Sequence, residues 1–378
     1  MPSLTNEGFT IGEALRFVKI ISGLLVIFII PAAFAQEVTI AQLREFLLAQ
    51  HKSRQPDNET AERLSSVTLS ERLNEQTLSR IVTEVLPGPA SVQQLRLLAD
   101  LSIFAAPPLE ESSVLPAPNA EAQREMLKAG AEYAKNALQH LPDFLAIRDT
   151  RRFDNRPQVA DNKRSKPTIQ FHWIGEFKDQ ITYRNGAEIA DDPSVARSWT
   201  NLHSGLSSFG EYGPILKVVF NDYVWGSIAW SRWELDSGGR QLAVYRYTVP
   251  KYESHYLVDF CCYTNSEDDP RELSFRDHPA YHGEVVLSPD SGIVRRITIE
   301  ADLAPSAPVL ASELAVQYGE VEIDGRSYVC PVRSIVMTAI HSVTMKRIDG
   351  VGIERHLNDV RYIAYRKFGS TSRIVANP

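Results

Sequence analysis

Cysteine is scarce in this chain: Cys261, Cys262 and Cys330 are the only three in 378 residues. No pair is spaced C-x-x-C, and the other short catalytic fingerprints are missing too. There is no phosphate loop, no G-x-G-x-x-G dinucleotide turn and no H-E-x-x-H. A nucleophile elbow G-x-S-x-G is absent, and Gly205-Leu-Ser207-Ser-Phe-Gly210 has the wrong spacing for one. No apolar run reaches the roughly 20 residues that a bilayer span needs. Positive charge is not in excess either. A net charge of −7 argues against a coat for nucleic acid or anionic lipid.

What is present begins at the N-terminus. Arg16 and Lys19 precede the apolar run 20–30, Pro31 breaks it, and Ala33-Phe34-Ala35 supplies the A-x-A pattern of a signal peptidase site. Residues 1–35 are expected to be a signal peptide cleaved before Gln36, with an uncleaved anchor as the lesser reading. No cysteine stands near the cut, so acylation is not expected. Cleavage removes two cations (Arg16, Lys19) and two anions (Glu7, Glu13), so the mature charge stays at −7. The expected address is the periplasm or the extracellular space, and the mature chain is not expected to be an integral membrane protein. An odd cysteine count in an oxidising compartment leaves at least one thiol over. Neighbours on a strand point to opposite faces, so only one of Cys261 and Cys262 could meet Cys330. A disulfide of Cys330 with one of them stands beside the alternative of three buried thiols.

Residues 36–105 are expected to be a small helical domain. Thr39-Ile-Ala-Gln42 and Ser91-Val-Gln-Gln94 both have the form of capping boxes. Leu78, Ile81, Val82 and Val85 lie on one helical face, and Pro87-Gly88-Pro89 ends that helix. Residues 106–118 are proline-rich and predicted to be a linker. A longer helix is expected from Asn119 to Pro142, with Met126, Ala129, Tyr133 and Ala137 on one side.

Residues 119–370 are expected to join that helix to β-structure, and 371–378 to be a tail. A first strand is predicted at 145–153. Asn185-Gly186 is a hairpin turn between β-formers. Residues 193–221 suggest a helical insert whose second piece starts at Pro214. Strands follow at 227–234 and 241–249. Pro289-Asp-Ser-Gly292 is a turn; after it Ile297 and Ile299 face one way, Arg296, Thr298 and Glu300 the other, and Arg295 breaks the alternation. Asp324-Gly325 makes another tight turn, followed by strands at 335–346 and 355–367. The pattern predicts an α+β fold: a helical bundle, then a curved antiparallel sheet of eight to ten strands, a half-barrel with one dry and one wet face, packed on helices.

Three stretches, YRNGAEI (183–189), VVLSPDSGIVRRITI (285–299) and VEIDGRSYVCPVRS (321–334), are similar to strand pairs of the periplasmic lipoprotein-carrier and sigma-factor-regulator fold. The resemblance spans roughly residues 120–367. The chain also resembles signal-bearing bacterial secreted proteins that place a helical segment before such a β-domain. In the carrier family the concave apolar face holds acyl chains and a loop arginine helps to gate it; none of the three stretches assigns that arginine a position here.

Candidate chemistry is sparse. All five tryptophans fall between 173 and 233, and Trp225, Trp230, Trp233, Tyr245 and Tyr247 are the candidate ligand-binding residues, against the alternative that they are core. Asp277-His278-Pro-Ala-Tyr-His282-Gly-Glu284 groups two histidines with two carboxylates, but the spacing matches no zinc pattern, and no metal or cofactor is expected. His255, after Glu253, is a candidate base for Ser254 or Ser207. The basic run 148–166 suits a solvated strand edge better than an anion site. The leading expectation is an exported, non-catalytic envelope protein that binds a lipid or other amphipathic ligand in the sheet's concave face. The alternatives are an interaction module that binds an envelope partner through residues 37–105 over a solid β-platform, and a hydrolase using His255 or His282.

Overall fold

The computed structural model describes residues 36–112, 115–156, 170–189, 214–222, 226–263 and 273–368. These belong to one compact unit that begins at Gln36. The fold is mixed α+β, with seven helices among the described residues.

The helical layer starts with β1 (Gln36–Val38), which pairs in parallel with β2 (Val67–Leu69). Between and after them come α1 (Ile40–Lys52), α2 (Asp57–Leu64), α3 (Glu75–Val85) and α4 (Pro89–Leu101). The predicted box at Thr39 is formed: Gln42 N donates to Thr39 Oγ1 at 3.2 Å, and Thr39 N donates to Gln42 Oε1 at 2.9 Å. Ser91 does not cap α4, contrary to its box-like spacing. Pro89 presets the first helical residue, so the helix starts earlier, at a Gly88 cap that has no side chain to offer. Asp57 of α2 supplies the missing acceptor, taking Ala90 N at 2.8 Å and Ser91 N at 3.1 Å. Leu43, Leu47, Leu64, Ile81, Val85 and Leu95 fill this layer's core.

Segment 109–111 forms a single 3-10 turn. The helix α5 (Ala120–His140) follows, started by Asn119, whose Oδ1 accepts from Ala122 N at 2.8 Å. The strands of the main sheet are β3 (Phe144–Asp154), β4 (His172–Arg184), β5 (Ala187–Ile189), β6 (Ser227–Leu235), β7 (Gln241–Val249), β10 (Ala280–Leu287), β11 (Val294–Asp302), β12 (Val309–Ile323), β13 (Arg326–His341) and β14 (Ile353–Lys367). Their order is β5-β4-β3-β14-β13-β12-β11-β10-β7-β6, every pair antiparallel, and the sheet is open. β8 (Val258–Tyr263) and β9 (Leu273–Asp277) pair antiparallel in a separate two-stranded sheet. The helix α6 (Pro214–Asp222) begins where Pro214 predicts; the rest of the insert lies outside the described residues.

Both predicted two-residue turns form with positive φ at each position: 54° and 77° at Asn185-Gly186, 54° and 73° at Asp324-Gly325. That is the turn whose twist matches its strands. Two details differ from the expected strand layout. First, β13 runs unbroken for 16 residues through Pro331, opposite a register shift at Gln317/Tyr318 of β12. A bulge tolerates the missing proline N–H. Second, the strand expected to reach Lys346 stops at His341. Ser342 caps the helix α7 (Val343–Asp349), and Gly350 at φ 75° ends it.

The exception at Arg295 has a cause. Val286 pairs with Arg296 and Leu287 with Val294, so Arg295 is the extra residue of a bulge. The bulge turns Val294 into the apolar face, where it is fully buried.

One sheet face is an apolar layer of Tyr245, Tyr247, Tyr281, Val285, Ile297 and Val316 against Met126 of α5 and Ile215, Leu216 and Val219 of α6. The opposite face, expected to be wet, is covered at its centre. Phe153, Ala315, Ile335 and Leu357 pack there against Leu97 and Ile103, in and just after α4. The sheet therefore lies between two helical layers.

Candidate functional site

The aromatic candidates come together through a defect in a strand. Trp230 pairs with Tyr245 and Arg232 with Val244, so Ser231 is bulged out of β6. Trp230 and Trp233, three apart, thereby reach the same face. Their rings meet edge-on with centroids 4.7 Å apart, and Trp230 meets Tyr245 at 5.5 Å. Three of the polar tips find protein carbonyls. Trp233 Nε1 donates to Pro116 O at 3.0 Å, Tyr245 OH to Gln123 O at 3.1 Å, and Tyr247 OH to Thr298 O at 2.6 Å. Tyr245 and Tyr247 are buried, and burial pushes the Tyr245 hydroxyl up to about 12. Tyr245 and Tyr247 belong to the buried apolar cluster, and the half-buried Trp230 and Trp233 pack against it. Trp225 lies outside the described residues.

Cys330 is a free, buried thiol. It sits among Phe144, Ile181, Tyr183 and Val360, and burial pushes its thiol up to about 12. The side chains of Cys261 and Cys262 lie outside the described residues, as does Ser207.

The two candidate histidines each meet a carboxylate. His255 Nδ1 lies 2.7 Å from Asp222 Oδ1. His282 Nδ1 lies 2.9 Å from Asp302 Oδ1, with Glu300 3.7 Å from Nε2. The other carboxylates of the 277–284 stretch are engaged elsewhere: Asp277 with Lys251 at 2.8 Å, and Glu284 with Arg232 at 2.6 Å. Among the described residues no group of three or more His, Cys, Asp or Glu is arranged to hold a metal. Ser254 Oγ accepts from Tyr256 N at 3.3 Å.

Strand register brings together one pair that the sequence does not suggest. Glu300 of β11 stands directly opposite Glu313 of β12. Burial, and then Glu300, push the Glu313 carboxyl up to about 7. Burial also raises Glu300. The two residues are thirteen apart in the chain, and only the pairing of the strands makes them neighbours.

A second feature without local signature is the seam between the helical layer and the sheet. Glu234 of β6 is almost fully buried and accepts from Arg72 at 2.7 Å, from Arg296 at 3.1 Å, and from Arg232. Burial works upward on its carboxyl, but Arg296, Arg72 and Arg232 hold it down at about 2. Burial and the nearby Arg296 lower Arg72 to about 10. Farther along, Arg333 of β13 binds Asp359 at 2.8 Å and also Asp100 of α4, while Arg151 binds Asp359. Buried pairs of this kind add little net stability but are costly to break from one side.

No helix among the described residues is long and apolar enough to cross a membrane. A scan against protein-family models finds no match, and neither the curated proteins nor the solved structures contain a match to this chain.

Proposed function

We propose that this is an exported protein that acts as a rigid platform, presenting its helical layer to a partner protein in the cell envelope. The observation that carries the reading is the filled apolar face, where three tyrosine rings are buried and their hydroxyls bonded within the fold. A carrier needs vacant apolar space to gain about 25 cal/mol per Å² from its ligand; here helices α5 and α6 already take that area. Support for export comes from the A-x-A pattern, which ends one residue before β1 begins. An open trough of about 860 Å³ is lined by Glu75, Ser79, Arg80 and Thr83 of α3 and by Ser237 of the β6–β7 turn.

Photo-cross-linkers at Ser79 and Thr83, with one at Lys178 on the sheet as control, test the platform in living cells. The platform predicts one defined cross-linked partner from α3 alone. Equal or absent products from all three positions would overturn it. Deleting residues 37–105 is not a fair test, because it would take Arg72 away from Glu234 and Asp100 away from Arg333.

A further inference from the structure

Four histidines among the described residues make ion-pair contacts with carboxylates, and they are not equivalent. His172 and His356 use Nε2 for that contact. His282 has a carboxylate near each ring nitrogen. His255 alone is held through Nδ1 while Nε2 has no partner among the described residues.

Its holder is itself fixed. Asp222 closes α6 and is 1% exposed. One of its oxygens takes His255 Nδ1 at 2.7 Å; the other takes His255 N at 2.8 Å and Tyr281 OH at 2.9 Å. Three donors leave that carboxylate little freedom to turn. A carboxylate on Nδ1 selects the tautomer with the proton there and leaves the lone pair on Nε2. The imidazole side chain is 71% exposed, so that lone pair faces solvent. Two large apolar side chains flank it in sequence and are also open to solvent, Tyr252 at 82% and Leu257 at 36% exposure.

We propose that His255, positioned by Asp222, is a general base that hydrolyses carboxylic esters with an apolar acyl group held between Tyr252 and Leu257. This activity is independent of the platform reading. Nε2 takes a proton from water as the water oxygen bonds to the ester carbonyl carbon. The tetrahedral intermediate then collapses, the carbon–alkoxide bond breaks, and the imidazolium returns its proton to the departing alkoxide. Ester and water become acid and alcohol, and the histidine is regenerated. Asp222 keeps the ring oriented throughout and stabilises the imidazolium.

The test is hydrolysis of p-nitrophenyl butyrate by the purified full chain, against equimolar N-acetylhistidine amide. The expected result is saturable turnover above that reference, with His255→Ala lowering kcat/KM by at least about 100-fold, the usual range for a general base. Tyr252→Ser should raise KM with little change in kcat. Asp222→Asn should move the ¹⁵N signals of His255 away from the Nδ1–H tautomer. Should that variant not fold, the mostly exposed His255→Ala decides the question. Turnover no faster than the reference, or full turnover in His255→Ala, overturns the proposal.

Discussion

Glu234→Gln keeps the side chain's size and removes its charge, which isolates the electrostatic part of the seam. In the fold this carboxyl titrates at about 2, against 4.5 ordinarily. At about 1.4 kcal/mol for each tenfold, the fold favours the ionised form by about 3 kcal/mol. Because the folded value is depressed, the contribution is complete above pH 4.5 and is lost as pH falls toward about 2. Glutamine leaves Arg72, Arg232 and Arg296 without the anion they share, and breaking a buried pair from one side costs about 3–5 kcal/mol, which agrees. Urea unfolding followed by tryptophan fluorescence should show the variant weaker by about 3 kcal/mol at neutral pH. By about pH 3 the gap should narrow to roughly 1 kcal/mol, since the wild-type glutamate is then losing its own advantage. Equal midpoints at neutral pH would refute the account of the seam. A gap of the same size at both pH values would assign the loss to shape, not charge.

Three further outcomes follow from other parts of the fold. Gly88→Ala places a Cβ 2.3 Å from Asp57 Cγ, so the carboxylate must leave the start of α4; hydrogen exchange there should quicken and stability fall by about 1–2 kcal/mol, the usual worth of a cap. Glu313 titrates at about 7, above its ordinary 4.5; a raised carboxyl favours the fold at low pH, so this contribution is lost as pH rises from about 4.5 to 7. Glu313→Gln should therefore raise the melting temperature at pH 8 and change it little at pH 5. Cys330, buried and with its thiol pushed up to about 12, should resist iodoacetamide in the native chain and react after urea unfolding, as peptide mapping would show.

Much of the local structure is legible before folding. Asn185-Gly186 and Asp324-Gly325 name their turns because few residue pairs tolerate two positive φ angles. Thr39 and Asn119 name helix starts because their side chains supply the acceptor that a first turn lacks. The errors share a cause: another part of the chain decides. Asp57 caps α4 from a different helix, so Ser91 is a cap by spacing alone. The bulges at Ser231 and Arg295 reassign faces, and neither residue type requires a bulge. His255 stands out in the sequence, while Asp222, 33 residues away, does not. The seam is the least visible feature of all. Arg72 and Glu234 are 162 positions apart, and alternation along β11 marks Arg296 and Thr298 only as polar, which a solvated face and a charged interface satisfy equally well.

Native mass spectrometry of the chain purified from the cells that make it tests the central claim most directly. A sheet whose apolar face is closed by its own helices predicts the bare mass of the polypeptide, unchanged after solvent extraction. A form heavier by one lipid or acyl chain, lost on extraction, would contradict it and restore the carrier.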